Sequence, residues 1–162
     1  MLNKENIIKK FKNNFYFLAL IIFFFLIDRY TKIKIISEFS ENTVFLNEYI
    51  NFNLIWNTGI GFGLFSSTSN LYYSLISLLI AIVILFIFYL VFISKLYDKF
   101  VYTLIISGAL GNFYDRVFYK AVPDFIDLHY KDFHWFTFNF ADILITLGII
   151  LMIFKNFLVK EA

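Results

Sequence analysis

The stretch from Leu71 to Ile93 carries no charged residue, and this feature restricts the chain more than any other. A helix of about 20 mostly apolar residues crosses the core of a bilayer. Hydrophobic residues make up 60% of the sequence and charged residues 16%, against roughly 45–50% and about 25% in soluble domains. These values exclude a soluble globular domain, a disordered chain and a nucleic-acid-binding domain. They predict a protein whose solvent is lipid.

Three further segments are apolar over most of their length. We interpret the four as transmembrane helices at about 15–35, 70–94, 101–118 and 138–157. Lysines lie in both terminal tails and between the second and third helices, so the positive-inside rule predicts cytoplasmic termini. The long loops, about 37–66 and 119–137, then lie outside. The length predicts one membrane domain over 1–162.

The outer loops differ in composition. Thr43 to Leu54 is rich in Val, Phe, Tyr and Ile with rough alternation, which predicts short strands at the membrane surface. Gly59 and two further glycines follow, where a backbone can approach a ligand or turn tightly. In the second loop we interpret Asp127 and Asp132 as solvated charges. The two histidines of that loop are five residues apart, which is not the spacing of a zinc helix.

Most charges at bilayer depth cluster at the outer ends of the helices, where an unpaired charge costs several kcal/mol. Asp28 and Lys32 share one helix face, as do Asn112, Asp115 and Arg116. Each group fits either a structural ion pair or a role in positioning a substrate. Arg116 is suited to hold a carboxylate with two hydrogen bonds.

Two carboxylates stand apart from these groups. Asp124 follows Pro123, the only proline, and Asp142 lies in the first turns of the last helix with no lysine or arginine within four residues. Carboxylates that face one another share a proton, so one activates water while the other donates to a carbonyl. This chemistry is aspartic peptide hydrolysis, and it needs no cofactor or metal. A small proton or ion channel or transporter that uses intramembrane aspartates is the alternative, and a structural subunit is another.

Five blocks of the sequence occur in the order found in one family. They are Asp28–Lys32, Asn57–Phe62, Gly108–Arg116, Val122–Ile126 and Phe138–Asp142. With them the chain resembles the bacterial lipoprotein signal peptidases, or signal peptidase II. The resemblance implies a mainly α membrane protein with four transmembrane helices, a small extracytoplasmic β-cradle from the first outer loop and a short helical segment from the second.

The resemblance also implies an activity and its residues. It implies an aspartic endopeptidase of the bacterial cytoplasmic membrane, acting at the outer face, that cuts prolipoproteins before a diacylglyceryl-modified cysteine. The catalytic pair falls on Asp124 and Asp142, with Asp115 as the rival for the first position. The implied partners are modified prolipoproteins and membrane lipids, with no nucleic acid, and the protein is expected to be monomeric. The supporting positions fall on Asp28, Lys32, Asn57, Gly59, Asn112, Asp115, Arg116, Asn139 and Ala141.

The sequence departs from the family pattern at three positions. Arg29 stands where the family often has Gln, Pro123 where it commonly has Val, and Ile143 where it often has Ser. None of these departures removes a carboxylate. Pro123 bears most directly on how the segment that holds Asp124 moves.

Overall fold

The computed structural model describes residues 4–39, 43–59 and 70–160. These residues form a mostly helical protein with one small antiparallel sheet. The helices are α1 (Lys4–Glu38), α2 (Asn70–Ile93), α3 (Leu96–Tyr119) and α4 (Phe140–Lys160). The strands are β1 (Val44–Phe45), β2 (Ile50–Asn57), β3 (Val122–Tyr130) and β4 (Phe133–Phe138).

Helix α3 lies at the centre of the bundle and packs against the other three helices. Its small residues Ser107, Gly108 and Gly111 are buried, so the backbones of neighbouring helices approach closely. Ile106 is fully buried in an apolar cluster with Phe17 and Ile21 of α1 and Ile84 and Val91 of α2. This packing brings the charged outer ends of α1, α3 and α4 together.

Among the described helices, one is long and apolar enough to cross a membrane by composition alone. It is α2, over Tyr73–Ile93, with a mean hydropathy of 3.3 over its most apolar window, only 11% of which is buried inside the protein. The other helices carry charged residues within their lengths. Four transmembrane helices are therefore not confirmed by composition, although a helix covers most of each predicted segment.

The sheet has the order β1–β2–β3–β4 and every neighbouring pair is antiparallel. Strands β1 and β2 lie in the first outer loop, where the sequence predicts strands. Residues 60–69, which include the remaining glycines of that loop, lie outside the described part of the chain. β2 and β3 pair from Ile50↔Leu128 to Asn57↔Val122, so the second loop completes the sheet.

The predicted helical segment in the second outer loop is wrong. Residues 122–138 form a β-hairpin that turns through Lys131, whose φ is 54°. β-Branched and aromatic residues make up most of β4 and include Val122, Phe125, Ile126 and Tyr130 of β3, and such residues favour extended backbone. The neighbouring strand β2 pairs with β3 and supplies hydrogen bonds to its backbone in the extended form. The cradle is thus built from both outer loops.

Candidate functional site

Asp124 lies near the start of β3, beside the outer ends of the helices. Its side chain is buried, with the residue 4% exposed. Asn57, on the neighbouring strand β2, donates from Nδ2 to Asp124 Oδ2 at 2.9 Å. Asn139, just before α4, donates from Nδ2 to Asp124 Oδ1 at 2.5 Å. Both carboxylate oxygens therefore have a fixed direction.

Asp142 is held by the start of α4 and by α3. The backbone N–H of Asn139 donates to Asp142 Oδ2 at 3.1 Å, and the backbone N–H of Asp142 donates to Asn139 Oδ1 at 3.1 Å. This reciprocal pair is a capping box that fixes the first turn of the helix. Asn112 of α3 donates from Nδ2 to Asp142 Oδ1 at 2.8 Å. Asp142, which has no lysine or arginine near it in sequence, thus receives a hydrogen bond from a side chain of another helix.

Asn139 contacts both carboxylates. Its side-chain amide bonds to Asp124, and its backbone and side chain bond to Asp142. Asn139 is fully buried, which gives these bonds little competition from water. One residue therefore joins the two acids and caps the helix that carries one of them.

A buried ion cluster lies beside this pair and joins α1 to α3. Lys32 Nζ lies 3.1 Å from Asp28 Oδ2 and 2.7 Å from Asp115 Oδ2. Arg29 lies 3.1 Å from Asp28 and 2.6 Å from Asp115. The two acids and two bases balance, and a buried charge needs such pairing to be tolerated. Asp115 is thus occupied, but by residues of α1 rather than by its neighbour Arg116.

Two contacts connect the ion cluster to the acid pair. Lys32 Nζ donates to Asn112 Oδ1 at 2.8 Å, and the amide of the same Asn112 donates to Asp142. Asp28 Oδ1 accepts from the Ala141 N–H at 3.2 Å, at the residue before Asp142. The cluster therefore fixes both the partner of Asp142 and the helix turn that carries it.

Arg116 fixes the segment that carries Asn57. It donates from Nη2 to the Gly59 carbonyl oxygen at 2.9 Å and from Nη1 to the Asn112 carbonyl oxygen at 3.0 Å. Asn57 Oδ1 accepts from the Gly59 N–H at 2.8 Å. These bonds orient the Asn57 amide toward Asp124. Arg116 is therefore placed to act on the first carboxylate through the backbone of Gly59.

Small residues allow α3, α4 and Asp28 to meet. Ala141 is fully buried. A Cβ added at Gly111 would lie 2.3 Å from Asp28 Oδ2, and one at Gly108 would lie 2.3 Å from the Ala141 carbonyl oxygen. Such distances are far below van der Waals contact. The site thus depends on glycine at both positions.

An apolar groove of about 340 Å³ has Asp142 in its wall. Since its α4 residues run from Asp142 to Ile150, the groove follows the helix for roughly 12 Å. The sheet contributes its other side through Leu128, Phe136 and Phe138. Such a groove fits a hydrocarbon chain or apolar side chains. The remaining α4 residues that line it are Ile143, Thr146 and Leu147.

The environment of Asp124 favours the protonated carboxyl. Burial raises the pKa of Asp124 to about 6, and the nearby charge of Asp142 acts in the same direction. Hydrogen bonds from Asn57 and Asn139 and the ammonium of Lys32 oppose this rise in pKa. The net effect is a carboxyl group that holds a proton well above the ordinary pH range of aspartic acid.

The structure brings all the predicted positions into one region, where the ends of α1, α3 and α4 meet the sheet. Sequence reasoning singled out Arg29 without finding its partners, which are the two acids of the ion cluster. It also missed the capping box, which the spacing of Asn139 and Asp142 could have indicated. The interpretation of Asp127 as a solvated charge is wrong. Asp127 is 3% exposed and its Oδ2 lies 2.7 Å from His134 Nδ1.

The arrangement of the two acids is typical of one class of enzyme. Two carboxylates joined by one residue, one of them with a raised pKa, are the groups that an aspartic peptidase uses to activate water and protonate a carbonyl. The mostly helical fold and the apolar groove beside the acids fit such an enzyme in a membrane.

Known proteins agree with this class. The family model for signal peptidase (SPase) II matches residues 20–158. A lipoprotein signal peptidase of Pelagibacter ubique is 42% identical over 94% of this chain and 91% of its own length. One from Thermodesulfovibrio yellowstonii is 41% identical over 80% of this chain and 84% of its own length. The chain therefore belongs to the signal peptidase II family, which is a family of aspartic peptidases.

Solved structures are similar to this fold as well. A bacterial membrane enzyme determined by the in meso method at 2.3 Å is 27% identical, with a TM-score of 0.72 over 90% of this chain and 88% of its own. A second, determined at 1.9 Å, has a TM-score of 0.71 with 27% identity over 91% of this chain and 94% of its own. The alternative of a channel or transporter is not supported by these comparisons.

Proposed function

We propose that this protein removes the signal peptide from prolipoproteins by cutting before a diacylglyceryl-modified cysteine. The observation that supports this most directly is the acid pair Asp124 and Asp142, which Asn139 joins, with Asp142 in the wall of an apolar groove. Family membership supports the same reaction. The groove supports a substrate in which a lipid adjoins the scissile bond.

In the proposed reaction the ionised carboxylate of Asp142 takes a proton from water. The water oxygen then attacks the scissile carbonyl carbon, while the protonated Asp124 donates its proton to the carbonyl oxygen. The resulting tetrahedral intermediate collapses as the C–N bond breaks: the leaving nitrogen takes the proton that Asp142 now holds, and a hydroxyl of the intermediate returns its proton to Asp124 as the new carboxyl group forms. Asn112 and Asn139 donate to Asp142, which stabilises its charge and its direction. Asn57 orients Asp124 in the same way.

The supporting residues act through position. Lys32 and Asp28 hold Asn112 and the Ala141 N–H, and Asp115 holds Lys32. Arg116 holds Gly59. Asp115 has two cationic partners, which favours Asp124 over Asp115 as the first catalytic carboxylate.

We also propose how the enzyme lies in the membrane. The chain forms a single membrane domain with four transmembrane helices and both termini in the cytoplasm. The acid pair then lies at the outer face of the bacterial cytoplasmic membrane, and a monomer suffices because every residue of the proposed site belongs to one chain. The charged residues of α1 and α3 remain compatible with spanning because they are paired with one another.

The groove along α4 is proposed to receive an acyl chain of the modified cysteine. It starts beside Asp142 and is lined mainly by apolar residues, so hydrocarbon can remain in the bilayer while the peptide reaches the acids. Because an acyl chain enters this groove from lipid and not from water, its recognition rests on packing against the groove walls.

A cleavage assay on purified enzyme tests the proposed function. Wild type is expected to cut a diacylglyceryl-modified prolipoprotein before the cysteine and to leave the unmodified precursor intact, with products identified by mass. Leu147→Trp, which fills the groove away from the acids, is expected to raise KM for the modified substrate with little change in kcat. Leu79→Trp, on the exposed side of α2, is the matched control. No cleavage by a folded wild-type enzyme would contradict the proposed function, and unchanged KM in Leu147→Trp would contradict the acyl site.

The pKa of Asp124 sets a pH dependence. As the pH rises through about 6, Asp124 loses the proton that it would donate to the carbonyl, so kcat is expected to fall over that range. The raised pKa also means that the stabilising contribution of this group is present at low pH and is lost as the pH rises through about 6. Cleavage rates and thermal unfolding, measured from about pH 4 to about pH 8 so that they cover both sides of this pKa, report the change in kcat and the change in stability. A rate that does not change over this pH range would contradict the proton-sharing pair. As a control, Asp124→Asn is expected to show no loss of stability as the pH rises through about 6.

A further inference from the structure

We propose that Arg29 is a positioning residue for the peptidase reaction: it keeps the buried ion cluster neutral and so leaves Lys32 free to hold Asn112 against Asp142. The residue is 8% exposed, and nothing in the proposed function gives it a role. The inference rests on the proposed function, because it concerns the alignment of a catalytic group in that reaction.

Arg29 is built into the cluster by three contacts from three residues. Its two terminal nitrogens reach different carboxylates, Asp115 at 2.6 Å and Asp28 at 3.1 Å. Its guanidinium carbon lies 4.7 Å from the ring centre of Tyr114. A planar guanidinium can contact two acids and stack on a ring at once, which an ammonium cannot.

The charge of Arg29 determines what Lys32 must neutralise. With Arg29 present, the two cations face the two acids Asp28 and Asp115. Without it, Lys32 alone would face both acids at negligible exposure to water. Its ammonium would be drawn toward the acids and away from Asn112 Oδ1, now 2.8 Å away. Asn112 would then lose the contact that fixes the direction of its amide toward Asp142.

The same charge acts on the proton that the acid pair shares. Removing a nearby cation makes the surroundings of Asp124 and Asp142 more negative, which favours the protonated form of the pair. The falling limb of the pH–rate profile would move to higher pH. The other titratable or charged groups close to the pair lie on three helices. They are Asp28 and Lys32 of α1, Tyr73 of α2, and Asp115 and Arg116 of α3.

The test compares Arg29→Gln and Arg29→Met with Arg29→Lys and Tyr114→Leu in the cleavage assay. Both neutral variants remove the charge of Arg29, and Met also leaves no buried polar group without a hydrogen-bond partner. The test uses whichever of the two variants folds. The expected result is a kcat about tenfold to a hundredfold lower with KM unchanged. The falling pH limb is expected to move up by roughly half a unit. Arg29→Lys is expected to restore the pH limb. Tyr114→Leu, which removes the stacked ring but no charge, is expected to lower Tm and leave the limb in place.

Three outcomes would overturn the inference. The first is a folded neutral variant that keeps the wild-type kcat and pH–rate profile. The second is an Arg29→Lys variant whose falling pH limb moves as far as that of the neutral variants. The third is an equal movement of the falling limb in Tyr114→Leu. A loss of Tm alone would make Arg29 a structural residue. The wild-type enzyme is measured in parallel. If the proposed function were wrong, wild type would cut nothing, and this result differs from every outcome that tests Arg29.

Discussion

Asp142→Asn and Asp124→Asn are each expected to reduce kcat for a modified prolipoprotein by about 10³-fold. In both variants the amide keeps the shape of the side chain but can neither accept a proton from water nor donate an acidic one to the carbonyl. KM is expected to change little, because neither substitution fills the groove. Single-turnover cleavage in detergent or lipid, with product measured by mass, gives the chemical step directly.

A matched control for these variants lies on the same strand. Asp127 is buried like Asp124 and pairs with His134, away from the acid pair. Asp127→Asn is therefore expected to retain cleavage while losing some stability. Asp115→Asn distinguishes the two assignments of the first catalytic position. If it eliminated cleavage while Asp124→Asn retained it, the catalytic assignment would pass to Asp115.

Gly108→Ala is expected to separate α3 from α4. The added methyl would lie 2.3 Å from the Ala141 carbonyl oxygen, which is backbone and cannot rotate away. Such overpacking costs about 1–3 kcal/mol. Because Ala141 precedes Asp142, the shift would also lengthen the bond between Asn112 and Asp142, and a misplacement of about 1 Å lowers activity on the order of 100-fold. Thermal unfolding and kcat measure the two effects.

Gly148→Ala separates the packing effect from the effect on the site. Its added methyl would lie 2.5 Å from Ile105 Cγ1 and 3.2 Å from the Val101 carbonyl oxygen, well along α4 from the acids, so its shortest contact is with a side chain and not with backbone. We expect a smaller loss of stability and nearly wild-type kcat per folded molecule. Equal loss of kcat in both variants would mean that α4 packing in general, and not the contact at Ala141, controls the site.

Much of the site could be predicted because charge at bilayer depth is costly. A chain that places Asp28, Lys32, Asp115 and Asp142 at helix ends must bring partners to them, and this argument needs no coordinates. The short strands of the first outer loop followed from composition in the same way. The five-block resemblance then indicated which carboxylates to pair.

The remaining features depend on contacts between distant segments. Strand β3 is extended because β2, far earlier in the chain, supplies its hydrogen bonds, and the pattern of residues 119–137 alone did not indicate this. Proximity in sequence suggested that Arg116 holds Asp115. The cations that pair with Asp115 come instead from α1, a long way back along the chain, because α1 and α3 pack side by side.

Asn139 gives the enzyme a built-in dependence of chemistry on helix order. The bonds that start α4 are the bonds that orient Asp142, and the same side chain holds Asp124. Fraying of one helical turn, among the least costly openings of a native protein, would separate the two acids while the bundle stayed folded. On the proposed assignment of the acids, cleavage therefore requires that α4 be wound through its first turn.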